Sequence, residues 1–287
     1  MKMERRSISN IAWPIQEDIA ALDLAAELGF DGVELAPAKA LGPLDAVELG
    51  DVRRYRDGLA ARGLSIPALQ GILFGAEDVH LFAGDEARLR LAQRLDLVAE
   101  LAAELGAKAC VFGAPKLRDP GDLDAGEAWA RAVEFFAGIA PRFASRGTSL
   151  CFEANPPMYD CRFVATTEEA MRLVKAVGEP GFALQLDFGT VFANGETAET
   201  VESAGRMACH CHVSEPGLAP IGAGEAKSGS VDHGMTGAAL VASGYDGWIS
   251  VEMRAVEDWR GAMRRAAAII ENYYISTSRG QDGVSTF

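Results

Sequence analysis

The sequence has no apolar run approaching the roughly 20 residues that a membrane-spanning helix needs, so no membrane partner is expected. Its opening, Met-Lys-Met-Glu-Arg-Arg, leads into a strand-like segment with no long apolar stretch, and no secretory signal is expected. No CxxC spacing occurs. The five cysteines, Cys110, Cys151, Cys161, Cys209 and Cys211, are odd in number and lie mostly in strand-like runs. That pattern favours buried reduced thiols over disulfides or structural zinc, and with them a cytoplasmic setting. Basic residues are scarce: 27 Lys and Arg stand against 41 Asp and Glu, a formal charge of −14. Affinity for nucleic acid comes mainly from Lys and Arg contacts to phosphate, and no basic run offsets the acidity, so no nucleic-acid partner is expected. No GxGxxG follows the first strand-like segment, which weakens a dinucleotide-binding reading.

What the chain does have is alternation. Strands are expected at 7–13, 32–37, 65–71, 108–114, 149–155, 182–189, 207–213 and 248–253. Helices are expected at about 17–28, 49–62, 85–105, 125–146, 167–177, 196–203, 234–242 and 256–274. Gly29, Gly63, Gly106, Gly147 and Gly178 stand at helix stops, where a left-handed residue is wanted. Strict alternation argues for a parallel sheet with helical crossovers, and eight units argue for closure. The expected fold is therefore α/β, a (β/α)8 TIM barrel, which suits a chain of 287 residues. No linker divides it: residues 1–275 are expected to form a single barrel domain, and the polar segment 276–287 a flexible C-terminal tail.

Alternate strand residues point to opposite faces. In the fifth strand Leu150 and Phe152 suit the helix side, leaving Cys151, Glu153 and Asn155 inside. In the sixth, Leu184, Leu186 and Phe188 face out, so Gln185 and Asp187 face in. In the seventh, Met207, Cys209, Cys211 and Val213 face out, with His210 and His212 inside. In the eighth, Ile249 and Val251 face out, with Ser250 and Glu252 inside. Four consecutive strands thus aim Glu153, Asp187, His212 and Glu252 at the axis near their C-terminal ends, the face that carries barrel active sites. Singly, each has a bland explanation as a solvated strand end or a core histidine. Together, three carboxylates in a low-dielectric interior call for a cation. One divalent metal ion is expected: Mn, Mg, Co or Fe suits three carboxylates and an imidazole, and zinc less well.

Other inward candidates are weaker. Glu34 ends the second strand and either binds a substrate hydroxyl or caps the mouth. Gln70, Asn155 and Lys116 lie where they can hydrogen-bond a polyol, although Lys116 is equally suited to plain solvation. His233 opens the seventh helix beside a long loop, in contact with substrate or in a structural role. His210 reads as support for the metal site or as core, Trp13 as core and His80 as structural. The glycine-rich loop 217–229 is a candidate lid.

With these residues in hand, the chain resembles the xylose isomerase-like superfamily of sugar isomerases and epimerases, in particular its ketose 3-epimerase type. The resemblance rests on Gly32-Val-Glu-Leu, Leu150-Cys-Phe-Glu-Ala-Asn-Pro, Leu186-Asp-Phe-Gly, His210-Cys-His-Val-Ser-Glu and Gly247-Trp-Ile-Ser-Val-Glu-Met, in that order from about residue 7 to 274. It implies that Glu153, Asp187, His212 and Glu252 hold one metal, Mn by preference, and that Glu153 and Glu252 act as acid and base on opposite faces of a sugar or sugar phosphate. One departure stands out: a substrate-binding His three residues after the metal Asp is replaced by Thr190. The implied chemistry is proton abstraction beside a polarised carbonyl through an enediolate, giving epimerisation or aldose–ketose isomerisation. A dehydratase or lyase of keto-acids or carbocyclic polyols on the same site is the alternative, and a non-catalytic sugar-binding barrel the third. Related DNA-repair endonucleases use a histidine-rich three-metal cluster, for which four histidines and this charge are a poor match. Barrels of this type are often homo-oligomers, but no segment marks an interface.

Overall fold

Short apolar strands separated by longer amphipathic helices can bury both faces of a parallel sheet only by wrapping helices around it. The computed structural model describes residues 5–223 and 231–275; the expected tail 276–287 and residues 224–229 of the candidate lid lie outside them. The strands are β1 (Arg5–Ser9), β2 (Gly32–Glu34), β3 (Ala68–Leu69), β4 (Ala109–Phe112), β5 (Ser149–Glu153), β6 (Phe182–Asp187), β7 (Ala208–Val213) and β8 (Trp248–Val251). All pair in parallel, in the order β2-β1-β8-β7-β6-β5-β4-β3. Between β2 and β3 the ladder thins to single bridges, Gly32 to Ser65 and Leu35 to Leu69, which complete the circle. The expected third strand, 65–71, shrinks because Pro67 has no N–H to offer the ladder. The (β/α)8 TIM barrel is therefore the fold of the described residues.

Among the described residues ten α-helices surround the strands: α1 (Asp18–Glu27), α2 (Pro37–Leu41), α3 (Leu49–Ala60), α4 (Asp85–Leu105), α5 (Ala125–Ala144), α6 (Thr167–Val177), α7 (Phe188–Asn194), α8 (Ala198–Gly205), α9 (His233–Ser243) and α10 (Trp259–Tyr273). Two of these were not expected. Helix α2 is a single short turn starting at Pro37, where proline suits a helix start. Helix α7 begins directly after β6, inside the stretch 182–189 that reads as one apolar strand; the Asp187 side chain caps it by accepting from Thr190 N. No helix of the described residues is long and apolar enough to cross a membrane.

The phase of the strands follows the alternation, with one correction. Leu150, Phe152, Leu184, Leu186, Cys211 and Val213 belong to the large core shared with the helices. There the Phe136 ring stacks on Phe182 at 4.8 Å and meets Phe152 edge-on at 5.4 Å. A separate small cluster, Ala68, Ala109 and Cys151 with Ala183 and Cys209 against it, fills the barrel interior below the mouth. Cys209, expected outside, belongs to this inner cluster. The ladder pairs Leu184 with Ala208 but Gln185 with His210, so Cys209 is an extra residue that resets the count. All five cysteines are free thiols.

Gly181, just before β6, has φ 92°, and a Cβ there would overlap the backbone of Ala140 and Ala144 on α5. Gly181→Ala is expected to destabilise the barrel by roughly 3 kcal/mol, from positive φ and overpacking together. Denaturant unfolding would measure it, and a change within 0.5 kcal/mol, about the size of a neutral surface substitution, would refute the close approach.

Candidate metal centre at the barrel mouth

Glu153 and Asp187 end β5 and β6, His212 is the penultimate residue of β7, and Glu252 follows β8 directly. Ladder register pairs Asp187 with His212, Glu153 with Gln185 and His212 with Ser250, so that Asp187 and Glu252 each lie two residues beyond the partner of the neighbouring strand's ligand. Each of the four offers a ligand atom, and these atoms all lie within 4.8 Å of one another. The His212 Nδ1 atom stands 3.1 Å from Glu153 Oε1 and 3.2 Å from Glu252 Oε2. The sequence reading thus brought together four side chains that the fold also brings together.

The other ring nitrogen, His212 Nε2, lies 2.9 Å from Glu34 Oε1, and His210 Nε2 lies 3.5 Å from Glu34 Oε2. Glu34 is fully buried beneath the His212 ring and does not reach the mouth where it was expected. A carboxylate behind a histidine fixes its tautomer and ring orientation, leaving Nδ1 to face the other three groups. This places His210 as well, against the same carboxylate and one layer deeper.

The carboxylates are held from outside. Asn155 Nδ2 donates to Glu153 Oε2 at 3.0 Å, and Asn155 Oδ1 accepts from Arg118 Nη2 at 3.0 Å. Arg118 Nη1 also donates to the Glu153 carbonyl at 2.9 Å, with the guanidinium 4.5 Å from the Phe152 ring centroid. Arg118 is fully buried, and sequence reasoning missed it. It lies in a short 3-10 turn, Pro115–Arg118, with no periodicity that would flag an inward side chain. A Cβ at Gly113 would sit 2.7 Å from Glu153 Oε2, so a larger residue there would push that carboxylate aside. Asp187 Oδ2 accepts from both the backbone N and Oγ1 of Thr190 at 2.8 Å, and Ser214 Oγ donates to Oδ1. Thr190 therefore braces Asp187.

A cavity of about 590 Å³ opens above the four groups, with Lys116, Asn155, Met158, Tyr159 and Leu218 in its wall and Glu153, Asp187 and Glu252 in its floor. A second cavity of about 340 Å³ adjoins it along Gln70 and Val111 and shares Glu153 and Glu252. Asn155, Gln70 and Lys116 thus line the mouth, Lys116 at its exposed rim. Gln70 Nε2 donates to Ser9 Oγ. His233 does not line either cavity. Its Nδ1 pairs with Tyr274 Oη at 2.7 Å, its Nε2 lies 3.3 Å from Glu215 Oε1, and Phe192 packs on it edge-on. Trp13 is buried core with Nε1 donating to Asp18, and His80 Nδ1 accepts from the backbone N of Phe82 and Ala83.

Charge at the site is out of balance. Burial, with Glu153 and Glu252 nearby, pushes Asp187 up to about 7 against the opposing pull of His212 and Ser214. Burial also raises Glu252, and His212 offsets only part of that. Burial alone would lower His212, but Glu34 and Glu252 overcome it and hold the imidazole well above its usual range. Likewise burial would raise Glu34, yet His212 and His210 draw it well below the ordinary carboxylate range. A divalent cation among Glu153, Asp187, His212 and Glu252 removes the conflict, since it pairs with all three carboxylates and takes the imidazole as a neutral donor. The donor set fits one.

A family model described as xylose isomerase-like TIM barrel matches residues 22–273. No curated protein matches the sequence. Among solved structures, a D-psicose 3-epimerase with D-tagatose from Clostridium cellulolyticum H10 is 18% identical, with a TM-score of 0.77 over 94% of this chain and 99% of that one. A 3-keto-D-glucoside 4-epimerase from E. coli is 18% identical, with a TM-score of 0.71 over 93% of this chain and 98% of that one. An AP endonuclease, family 2, from Brucella melitensis is 20% identical, with a TM-score of 0.70 over 91% of this chain and 97% of that one. At such identities the likeness is one of fold.

Proposed function

The chain belongs to the xylose isomerase-like TIM barrel family, and from that premise we propose that it is a divalent-metal-dependent sugar isomerase or epimerase acting on a ketose or sugar phosphate. The observation that carries this reading is the convergence of three carboxylates and one imidazole within 4.8 Å, the carboxylates on the floor of a solvent-open cavity. The epimerases among solved structures of the same fold support it. Glu153, Asp187, His212 and Glu252 would hold the cation, with Mn the first choice and Mg, Co, Fe or Zn as alternatives. When bound, the cation supplies Lewis-acid polarisation, which makes the C–H bond beside a carbonyl more acidic.

The residues of the chain do the rest. Glu153 and Glu252 both border the two adjoining cavities, so each reaches a substrate lying between them. One takes a proton from the carbon beside the carbonyl, and the other returns a proton to the opposite face for epimerisation or to the neighbouring carbon for isomerisation. Asn155 and Arg118 keep the Glu153 carboxylate aimed inward, while Thr190 and Ser214 do so for Asp187. Glu34 keeps the His212 ring from turning. Asn155, Gln70 and Lys116 offer hydrogen bonds to substrate hydroxyls around the mouth.

The test is metal analysis of the purified protein, followed by NMR of a ketose and keto-acid panel in D2O. Expected is a bound divalent metal and deuterium entering a single carbon of one ketose, abolished by EDTA and restored by Mn2+. Loss of water with a new enone absorbance would replace epimerisation by dehydration. A metal-free protein indifferent to chelators, or no exchange from any compound, would remove the proposal.

A further inference from the structure

Tyr159 carries no signal in the sequence. It ends a 3-10 turn, Pro157–Tyr159, just after β5, half-buried in the cavity wall above Glu153, Asp187 and Glu252. Its Oη accepts from Gly217 N at 2.7 Å, joining the loop after β5 to the loop after β7. An amide N–H can only donate, so this bond leaves the phenolic hydrogen for another acceptor. Among the described residues no side chain or carbonyl takes it.

Among the other side chains around this cavity, one Asn155 Nδ2 hydrogen is on Glu153 while its second has no partner among the described residues, and the Ser214 hydroxyl is on Asp187. Lys116 is at the exposed rim, and Leu117, Met158 and Leu218 supply apolar wall. Burial and the charges of Asp187, Glu252 and Glu153 raise the phenol above its ordinary range, more than the Gly217 bond lowers it, so the group remains a donor.

We propose that Tyr159 is a substrate-positioning donor of this site, its hydroxyl bonding one oxygen of the bound compound. That the compound is a ketose or its relative rests on the function proposed above; that it carries an oxygen facing Tyr159 does not. A ligand lacking that oxygen leaves a half-buried hydroxyl unpaired, and this is how the site discriminates.

Deleting the hydroxyl on the protein and on the ligand separately tests this. Mn-loaded wild type and Tyr159→Phe are titrated by calorimetry with D-fructose, its analogues each lacking one hydroxyl, dihydroxyacetone and hydroxypyruvate, with C–H exchange followed in D2O. Tyr159→Phe should bind D-fructose about tenfold more weakly, retain its metal, and bind one deoxy analogue as well as wild type does. A variant weakened equally on every ligand marks a loosened loop, and one weakened on none marks an idle hydroxyl; either overturns the assignment. Should wild type bind ketoses without exchanging a proton, the isomerase reading falls while the calorimetry still judges Tyr159. Binding of none of these compounds would sink both.

Discussion

Glu153→Gln and Glu252→Gln should each slow solvent-proton exchange by about two to four powers of ten, the usual worth of a positioned acid or base. An amide cannot accept the proton, and it is also a weaker metal donor than a carboxylate, so bound metal should fall with activity. The expected stability change points the other way. Asn155 Nδ2 and the Arg118 bond to the Glu153 carbonyl both survive a Gln side chain at 153. Removing one of three mutually repelling carboxylates should therefore leave the metal-free protein as stable as wild type or more so. Loss of exchange with an unchanged or higher Tm identifies chemistry, whereas loss of exchange with a lowered Tm identifies misfolding. Wild-type exchange in both variants would eliminate the proposed acid–base pair.

Mn2+ should raise the Tm far more at pH 8 than at pH 5.5. Asp187 is pushed up to about 7 in the folded, metal-free chain, against about 3.9 when unfolded. Between those values the folded state holds the extra proton, so the metal-free protein loses stability as pH rises from about 4 to 7. Three pKa units correspond to roughly 4 kcal/mol. His212 acts in the same direction: its folded value is raised, so the stability it contributes is present in acid and is lost as pH rises through that value. A cation replaces both protons, so its benefit is greatest where they are absent. At pH 5.5 proton and metal compete. A difference of about 2 kcal/mol in metal stabilisation between the two conditions would appear as several degrees in scans with Mn2+ or EDTA. An equal or larger shift in acid would contradict the carboxylate site.

Glu153, Asp187, His212 and Glu252 were legible because each lies at, or within one residue of, the C-terminal end of a strand with clear period-two alternation. Asp187 shows the limit of that reading. Its strand runs on in apolar letters through Phe188 and Phe192, so nothing in the letters marks where β6 becomes α7, although the Asp187 cap decides it. Cys209 shows another, since a single extra residue in β7 moved it to the inner cluster without changing the alternation that follows. Glu34 was placed in the right strand at the wrong depth, and Arg118 and Tyr159 sit in 3-10 turns where no period exists to count.

The pattern of apolar residues and helix-stopping glycines was enough to specify eight parallel strands, their wrapping into a cylinder, and the phase of the four groups at its mouth. These are local consequences of side-chain alternation and backbone conformation, which a chain carries along its length. The depth of Glu34 behind His212, the buried Arg118 bracing Glu153 through Asn155, and the seclusion of His233 with Tyr274 arise between residues far apart in the chain. They depend on ladder register and on where loops come to rest, and only the folded barrel determines either.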